Sequence, residues 1–184
     1  MLPLTWTTVL GGLCRYGDRE TPREVGTLHW TLTPITYGQL DEPTVDPDLP
    51  FTGINQDDAA GIAADLDGRL PTSVEWEWMA AGPERRRYPW GDDDWQPPLA
   101  RLGPAGHHRP GPVGTHPAGA TPDGVNDVAG GVWEWTSTPT MGHGRIIRGG
   151  SYASAPLYAR CTFLNIAPAE LRSPGIGLRV VRPA

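Results

Sequence analysis

Residues 127–135 combine features that few regular secondary-structure elements can accommodate together. The segment reads D-V-A-G-G-V-W-E-W, so two carboxylates and a glycine pair lie between large apolar side chains. Gly130 and Gly131 permit a tight turn, which can direct backbone carbonyls and the side chains of Asp127 and Glu134 toward one point. Oxygen ligands gathered from a loop suit a hard cation, Ca²⁺ above all. The alternative is a β-turn with two solvated acids and core tryptophans.

The composition predicts one compact domain over residues 1–184 with few long helices. A chain of 184 residues is long enough to bury a core of its own. It contains 24 glycines and 21 prolines but only 20% charged residues, which favours loops and turns. Eight tryptophans supply apolar rings that offset the ordering entropy, which argues against disorder. A net charge of −6 argues against nucleic acid or an anionic membrane as a partner.

The N-terminus shows no basic segment followed by an apolar run, and no stretch approaches the ~20 apolar residues of a membrane span. We therefore expect a cytoplasmic protein. Cys14 and Cys161 can form at most one disulfide, so they are not a secreted-type framework. We expect both to be small buried side chains.

Apolar spacing predicts two helices. The first covers about 57–66 and stops at Gly68, and the second starts at a cap on Thr72 or Ser73 and ends at Ala81. Strands are predicted at 5–9, 27–32, 131–136, 144–148 and 177–182. The stretch 97–120, rich in Pro, Gly and His, is expected to be a long irregular loop, which in a compact domain is usually functional or tied down.

Segments along the whole chain resemble the formylglycine-generating enzyme family, also called sulfatase-modifying factors. In the order of the family they are GGLCRYGD (11–18), TPITYGQ (33–39), GRLPTSVEWEW (68–78), YPWGD (88–92), the 127–135 segment, RGGSY (148–152) and RSPGIGLRVV (172–181). The resemblance implies an α+β fold with a C-type-lectin-like core and low regular secondary structure. Two helices are expected to flank a small antiparallel sheet.

The resemblance also implies a structural calcium ion. Its ligands would be the side chains of Asp127 and Glu134 and the carbonyls of Gly130 and Val132. The family has a second calcium site, but Arg101 stands where that site needs an oxygen ligand, so we expect the second ion to be absent.

Oxidases of this family bind copper(I) through two cysteines that follow the RGGS segment, because soft thiolates select that ion. Ser154 and Ala159 stand near those two positions here, and neither side chain supplies a thiolate. Cys161 lies close by but matches a small packed residue of the family. The sequence therefore predicts no copper-dependent formation of formylglycine.

Another branch of the family forms sulfoxides at an iron held by three histidines, which come largely from a helical domain with no matching segment here. The histidines of this chain are His29, His107, His108, His116 and His143. Adjacent histidines generally point apart, so we interpret them as surface residues of a Gly/Pro loop. A transition metal of unidentified kind stays an open alternative.

Two function classes follow from these observations. The first is an oxidative tailoring enzyme without the copper cysteine pair, acting on a peptide or small molecule in specialised metabolism. The second is a non-catalytic module that binds a ligand or partner on a C-type-lectin-like core. In both, the groove would be lined by Arg148, Ser151, Tyr152, Ser154, Tyr158 and Arg160. The alternative for Arg148 is that it braces the fold, as we expect of Arg179.

The remaining motif residues are interpreted as structural. Glu75 and Glu77 flank Trp76 on the second predicted helix, which indicates a solvated helix face. Trp133 and Trp135 are expected to be core anchors whose ring nitrogens find backbone acceptors.

Overall fold

The computed structural model describes residues 2–44 and 46–184, in which short elements are joined by long irregular connections. Four strands come first: β1 (Trp6–Val9), β2 (Gly12–Tyr16), β3 (Thr21–Val25) and β4 (Leu28–Thr31). Two helices follow, α1 (Gln56–Asp65) and α2 (Ser73–Ala81). The remaining strands are β5 (Trp133–Pro139), β6 (Gly144–Arg148), β7 (Leu164–Pro168), β8 (Ile176–Gly177) and β9 (Val181–Pro183).

The strands of the described residues form three sheets. Strand β4 lies between β1 and β9, and both pairings are antiparallel. Strands β2 and β3 form a hairpin. The largest sheet has the order β7-β6-β5-β8, and only its β5–β8 pairing is parallel. The predicted α+β class is confirmed, although three sheets replace the one antiparallel sheet that was expected.

Helix α2 begins at a capping box, which explains why the chain becomes helical directly after Pro71. The Thr72 hydroxyl accepts a hydrogen bond from the Glu75 amide at 3.2 Å, and the Glu75 carboxylate accepts one from the Thr72 amide at 2.7 Å. Gly82, with φ of 63°, ends the helix. The helix contacts β2 and β3 as well as β5 and β6, so most of its residues are buried.

Tryptophans anchor the apolar core. Trp30 and Trp76 lie in a cluster that involves β4 and α2, and Trp135 lies in a second cluster with α1. The Trp135 ring nitrogen donates to the carbonyl of Ile54 at 3.1 Å, as predicted for a core anchor. Trp133 differs from the prediction, because it is only partly buried.

The boundaries of several elements differ from the predictions. The predicted strand 177–182 is interrupted, because the chain passes there from β8 in one sheet to β9 in another. Helix α1 ends at Asp65, and Asp67 adopts a positive φ of 57° before Gly68. Strand β3 was missed because Pro22, Arg23 and Glu24 give its sequence no apolar alternation.

None of the helices in the described residues is both long and apolar enough to cross a bilayer.

Candidate functional site

The glycine pair forms a tight turn. Both residues have positive φ, 75° for Gly130 and 66° for Gly131, which favours glycine. The Gly130 amide donates a hydrogen bond to the Gly149 carbonyl at 2.8 Å, and the Gly131 amide donates one to the Arg101 carbonyl at 2.9 Å. A Cβ atom on Gly130 would overlap the Arg101 carbonyl. The turn is therefore clamped between the long loop and the segment that follows β6.

A small cavity lies between this turn and the 97–120 loop. Its volume is about 20 Å³, enough for one water molecule or a single ion. Its walls come from the glycine turn, the long loop and two prolines: Pro34, Pro50, Arg101, Gly111, Pro112, Val113, Thr115, His116, Asp127, Ala129, Gly130, Gly131 and Val132. The loop that the sequence marks as functional or tied down thus covers the motif turn.

Asp127 is the carboxylate of this cavity, and it is held in a strained conformation. Its φ of 53° lies in the left-handed region, which is uncommon for a residue other than glycine. Its Oδ2 accepts a hydrogen bond from the Gly114 amide at 2.5 Å. Burial raises the pKa of Asp127, while the Gly114 hydrogen bond, Arg179 and His116 act in the opposite direction.

His116 faces the same cavity. Burial lowers its pKa, Asp127 acts to raise it and Arg101 lowers it further. The ring Nδ1 lies 3.0 Å from the Thr115 hydroxyl. A lowered pKa keeps this imidazole neutral at neutral pH, so it can donate or accept a hydrogen bond there.

Glu134 does not face the cavity, because its carboxylate is the buried counterion of Arg179. Arg179 donates to it from Nε at 3.1 and 3.2 Å and from Nη2 at 2.9 Å, and both side chains are inaccessible to solvent. The Trp76 ring nitrogen donates to the same carboxylate at 2.7 Å. Arg179 also binds the carbonyls of Thr31 and Asn126, at 2.8 and 2.7 Å. This is the bracing role predicted for Arg179.

The four predicted calcium ligands are therefore divided in the structure. Asp127, Gly130 and Val132 line the cavity, whereas an ion on Glu134 would have to compete with Arg179. Calcium binding stays a prediction.

If the site binds calcium, we expect the melting temperature of the protein to rise in calcium and to fall in EDTA. The variant Asp127→Asn should lose this dependence.

A second buried ion pair lies on the other side of Trp76. Glu77 pairs with Arg148 at 2.6 Å and also accepts a hydrogen bond from the Gly17 amide at 2.7 Å. The Arg148 guanidinium lies 5.0 Å from the centre of the Trp76 ring. The interpretation of Glu77 as a solvated residue is wrong, because α2 is packed on both β2 and β6. Glu75 is partly exposed and serves the helix cap.

Only part of the predicted groove reaches the surface. Arg148 is fully buried and donates to the carbonyls of Cys161 and Phe163, which is the bracing alternative. Ser151 and Ser154 are buried in a tight turn, where the Ser154 hydroxyl accepts from the Ser151 amide at 2.9 Å. These three side chains make hydrogen bonds to the backbone.

The exposed part of the predicted groove is aromatic. Tyr158 is 40% exposed and packs edge-on against Phe163 at 5.0 Å between ring centres. Trp133 lies 6.5 Å from Tyr158 and 6.4 Å from Phe163, so the three rings form one cluster. Tyr152 and Arg160 are partly exposed, and the Nε of Arg160 is buried without a hydrogen-bond partner.

The donor set for copper(I) is not assembled. Ser154 and Ala159 are both buried, and Ala159 has no donor atom in its side chain. Cys14 and Cys161 are free, buried thiols. Burial raises the pKa of Cys14 to about 11 and also raises the pKa of Cys161, so neither supplies a thiolate at neutral pH. Across 2–44 and 46–184, no three or more His, Cys, Asp and Glu side chains are grouped to hold a metal ion.

We expect neither cysteine to react with Ellman's reagent in the folded protein at neutral pH. Both sulfurs are buried, and a raised pKa keeps each group in the thiol form until the pH approaches that raised value. In urea, both thiols should react. The measurement is the absorbance of the released thiolate, and fast labelling of either cysteine in native protein would contradict the assignment.

An open cleft beside the cavity is a second feature, which the sequence analysis did not predict. This cleft has a volume of about 270 Å³ and shares Arg101, Gly111 and Pro112 with the cavity wall. Arg109 and Asp46 also line it. Arg101 and Arg109, in a loop rich in Gly, Pro and His, were the signal for it in the sequence. Their proximity in space depends on the path of the loop.

Comparisons with known proteins identify the family of this chain. The family model of the sulfatase-modifying factor enzyme 1-like domain matches residues 21–184. Hercynine oxygenase of Mycolicibacterium smegmatis is 36% identical over 160 residues, covering 72% of this chain and 37% of the oxygenase. Formylglycine-generating enzyme of Mycobacterium tuberculosis is 34% identical over 120 residues, covering 59% of this chain and 40% of that enzyme. The chain thus spans little more than a third of the oxygenase that it matches.

Solved structures share the architecture at low sequence identity. Treponema denticola variable protein 1 superposes with a TM-score of 0.83 at 16% identity, covering 98% of this chain and 95% of that protein. CarF superposes with a TM-score of 0.80 at 19% identity and full coverage of both chains. These likenesses concern the fold alone.

Proposed function

Because the chain belongs to the family of sulfatase-modifying factor enzyme 1-like domains, we propose that it is the ligand-binding part of an oxidative tailoring enzyme. Its ligand would be a peptide or small molecule of specialised metabolism. The observation that carries the proposal is the 36% identity to hercynine oxygenase over 160 residues, a similarity that spans only 37% of that enzyme.

The arrangement of the loop over the turn supports ligand binding. The 97–120 loop places polar side chains over the Gly130–Gly131 turn, and the cavity and the open cleft lie side by side there. Two buried ion pairs, Glu134–Arg179 and Glu77–Arg148, hold the elements beneath. Sites supported by rigid elements bind with less loss of conformational freedom.

The residues present do not fit either redox centre of the family. In the described parts of the chain no three or more His, Cys, Asp and Glu side chains are grouped to hold a metal ion, and burial raises the pKa of both cysteines. In the proposal, the redox group is therefore supplied by a polypeptide outside these 184 residues. The role of this chain is to select the substrate and hold it at that group.

A non-catalytic binding module is the second candidate. The partly exposed cluster of Trp133, Tyr158 and Phe163 favours it, because aromatic surfaces are common in recognition sites. Such a module would bind its ligand without changing it.

Comparison of metabolites between strains separates the two candidates. We expect that deletion of the gene removes one compound and accumulates another, with masses that differ by an oxygen atom or by two hydrogens. Complementation with the natural gene should restore the product. A full comparison that shows no such pair of compounds would overturn the tailoring function and favour the binding module.

Two tryptophan variants link the result to the site. Pro112→Trp places a large ring in the wall shared by the cavity and the cleft, so we expect it to fail in complementation. Ala118→Trp changes an exposed residue of the same loop that lines neither space, so we expect it to complement. Equal complementation by both variants would place the binding site elsewhere, and the cluster of Trp133, Tyr158 and Phe163 would then be the next surface to test.

A further inference from the structure

Two arginines line the open cleft of this acidic protein. Arg101 and Arg109 both line it, and the Nε of Arg101 donates to the Arg109 carbonyl at 3.0 Å. The two guanidinium groups are near enough that Arg109 acts to lower the pKa of Arg101, after the larger effect of burial. The chain as a whole carries a net charge of −6, so its overall field does not account for this pair.

Neither arginine of the cleft has an ionic partner in the described residues. Most other arginines do: salt bridges are formed by Arg15, Arg69, Arg85, Arg86, Arg87, Arg148, Arg172 and Arg179. The Nη groups of Arg101 donate to no acceptor in the parts of the chain that the structure describes, and the same holds for the Arg109 side chain. Two like charges thus line one cleft, and neither forms an ion pair within the described residues.

The surroundings keep Arg101 in this position. Its guanidinium lies against Gly111, where an added Cβ atom would come within 2.9 Å of Nη1. The loop is tied down nearby by the Val113 amide, which donates to the Asp48 carbonyl at 2.9 Å. The Arg101 side chain is therefore packed against the loop backbone at Gly111, and it forms part of the cleft wall.

Among the described residues that line the cleft, Asp46 provides the only carboxylate, and it forms no ion pair with either arginine. Its Oδ1 accepts a hydrogen bond from the Asp48 amide at 3.1 Å, which closes a local turn. No ion pair joins Asp46 to Arg101 or Arg109 in the described residues. Its negative charge disfavours ligands with several negative charges.

We infer that this cleft binds a singly charged carboxylate of the ligand through Arg101 and Arg109. A planar guanidinium matches a carboxylate with two parallel hydrogen bonds, and two guanidiniums can hold one carboxylate from both sides. A cleft of about 270 Å³ accommodates a small molecule or one peptide terminus. The inference rests on the proposed ligand-binding function and assigns the chemical class of its ligand.

Nuclear magnetic resonance titration of the full chain with N-acetylglycine tests the site. Ionic strength is held constant with sodium chloride, because screening alone shifts signals of exposed charges. We expect saturable shifts at the Gly111 amide and the Arg101 Nε–H. N-acetylglycinamide, which has no charge, should produce none, and inorganic phosphate should bind more weakly.

Charge-matched variants identify the donors. Arg109→Gln should weaken N-acetylglycine binding about tenfold or more, and its exposed side chain has no contact whose loss would unfold the chain. Arg101→Gln should have at least the same effect. Arg23→Gln, on the β2–β3 hairpin, removes the same charge away from the cleft and should bind as the natural protein does.

Several outcomes would overturn the inference. These are equal binding of the neutral amide, tighter binding of phosphate, or unchanged affinity in both Arg101→Gln and Arg109→Gln. If the metabolite pair of the proposed function is nevertheless found, the tailoring function stands and only the carboxylate ligand is refuted. If carboxylate binding is found without the pair, the site stands and belongs to a binding module.

Discussion

Replacing Arg179 with methionine is expected to lower the free energy of unfolding by about 3–5 kcal/mol. The change leaves the Glu134 carboxylate buried, with only the Trp76 ring nitrogen as a donor. It also removes the donors to the carbonyls of Thr31 and Asn126. A domain of this size has a total stability of about 5–15 kcal/mol, so the loss should be a substantial fraction of it. Urea denaturation followed by tryptophan fluorescence measures the loss.

A surface arginine and a double variant control this prediction. Arg172→Met breaks an exposed pair with Asp58, and such pairs contribute only about 0–1 kcal/mol. The double variant Glu134→Gln, Arg179→Met removes both buried charges, so its loss should be smaller than the sum of the single losses. A loss for Arg179→Met no greater than that of Arg172→Met would contradict the role of the buried pair.

The second large effect is expected at Glu77. Glu77→Gln leaves Arg148 buried without its counterion and should cost about 3–5 kcal/mol. Glu75→Gln is the matched control on the same helix, because glutamine at this position can preserve the capping box while the partly exposed pair with Arg69 is lost. Its cost should be about 0–1 kcal/mol. Similar denaturation midpoints for the two variants would show that Glu77 is not a buried charge in solution.

The two ion pairs show why part of the fold was accessible from sequence and part was not. Capping residues and glycine stops act locally, so α2 and its Thr72 cap could be predicted from their neighbours. The exposure of Glu77 depends on β6, which lies far along the chain and places Arg148 against α2. Local spacing does not contain that information, and the glutamate was therefore interpreted as solvated.

The candidate site also has one part that local sequence predicts and another that depends on distant contacts. The turn at Gly130 and Gly131 followed from residue type, since two glycines in an irregular segment favour positive φ. The burial of Glu134 in an ion pair could not be predicted from residue type, because its partner Arg179 lies in a segment that leaves one sheet and joins another. The cleft of Arg101 and Arg109 depends on the path of an irregular loop, which has no periodic signal.

The predicted groove illustrates a further limit. Ser151 and Ser154 have the polar side chains expected of a binding surface, but short hydroxyls also close tight turns by bonding to nearby amides. Sequence alone does not distinguish these uses. The aromatic residue Tyr158 does reach the surface, where it contacts Phe163.

In the proposed function, this chain contributes ligand binding and the redox group comes from outside it. The metal content of the purified full chain, after expression with iron, copper and calcium available, tests this claim most directly. We expect iron and copper far below one ion per chain, because no three or more His, Cys, Asp and Glu side chains are grouped in the described residues and burial raises the pKa of both cysteines. One tightly held iron or copper ion per chain, retained through desalting and lost when Cys14 or Cys161 is replaced by alanine, would contradict it.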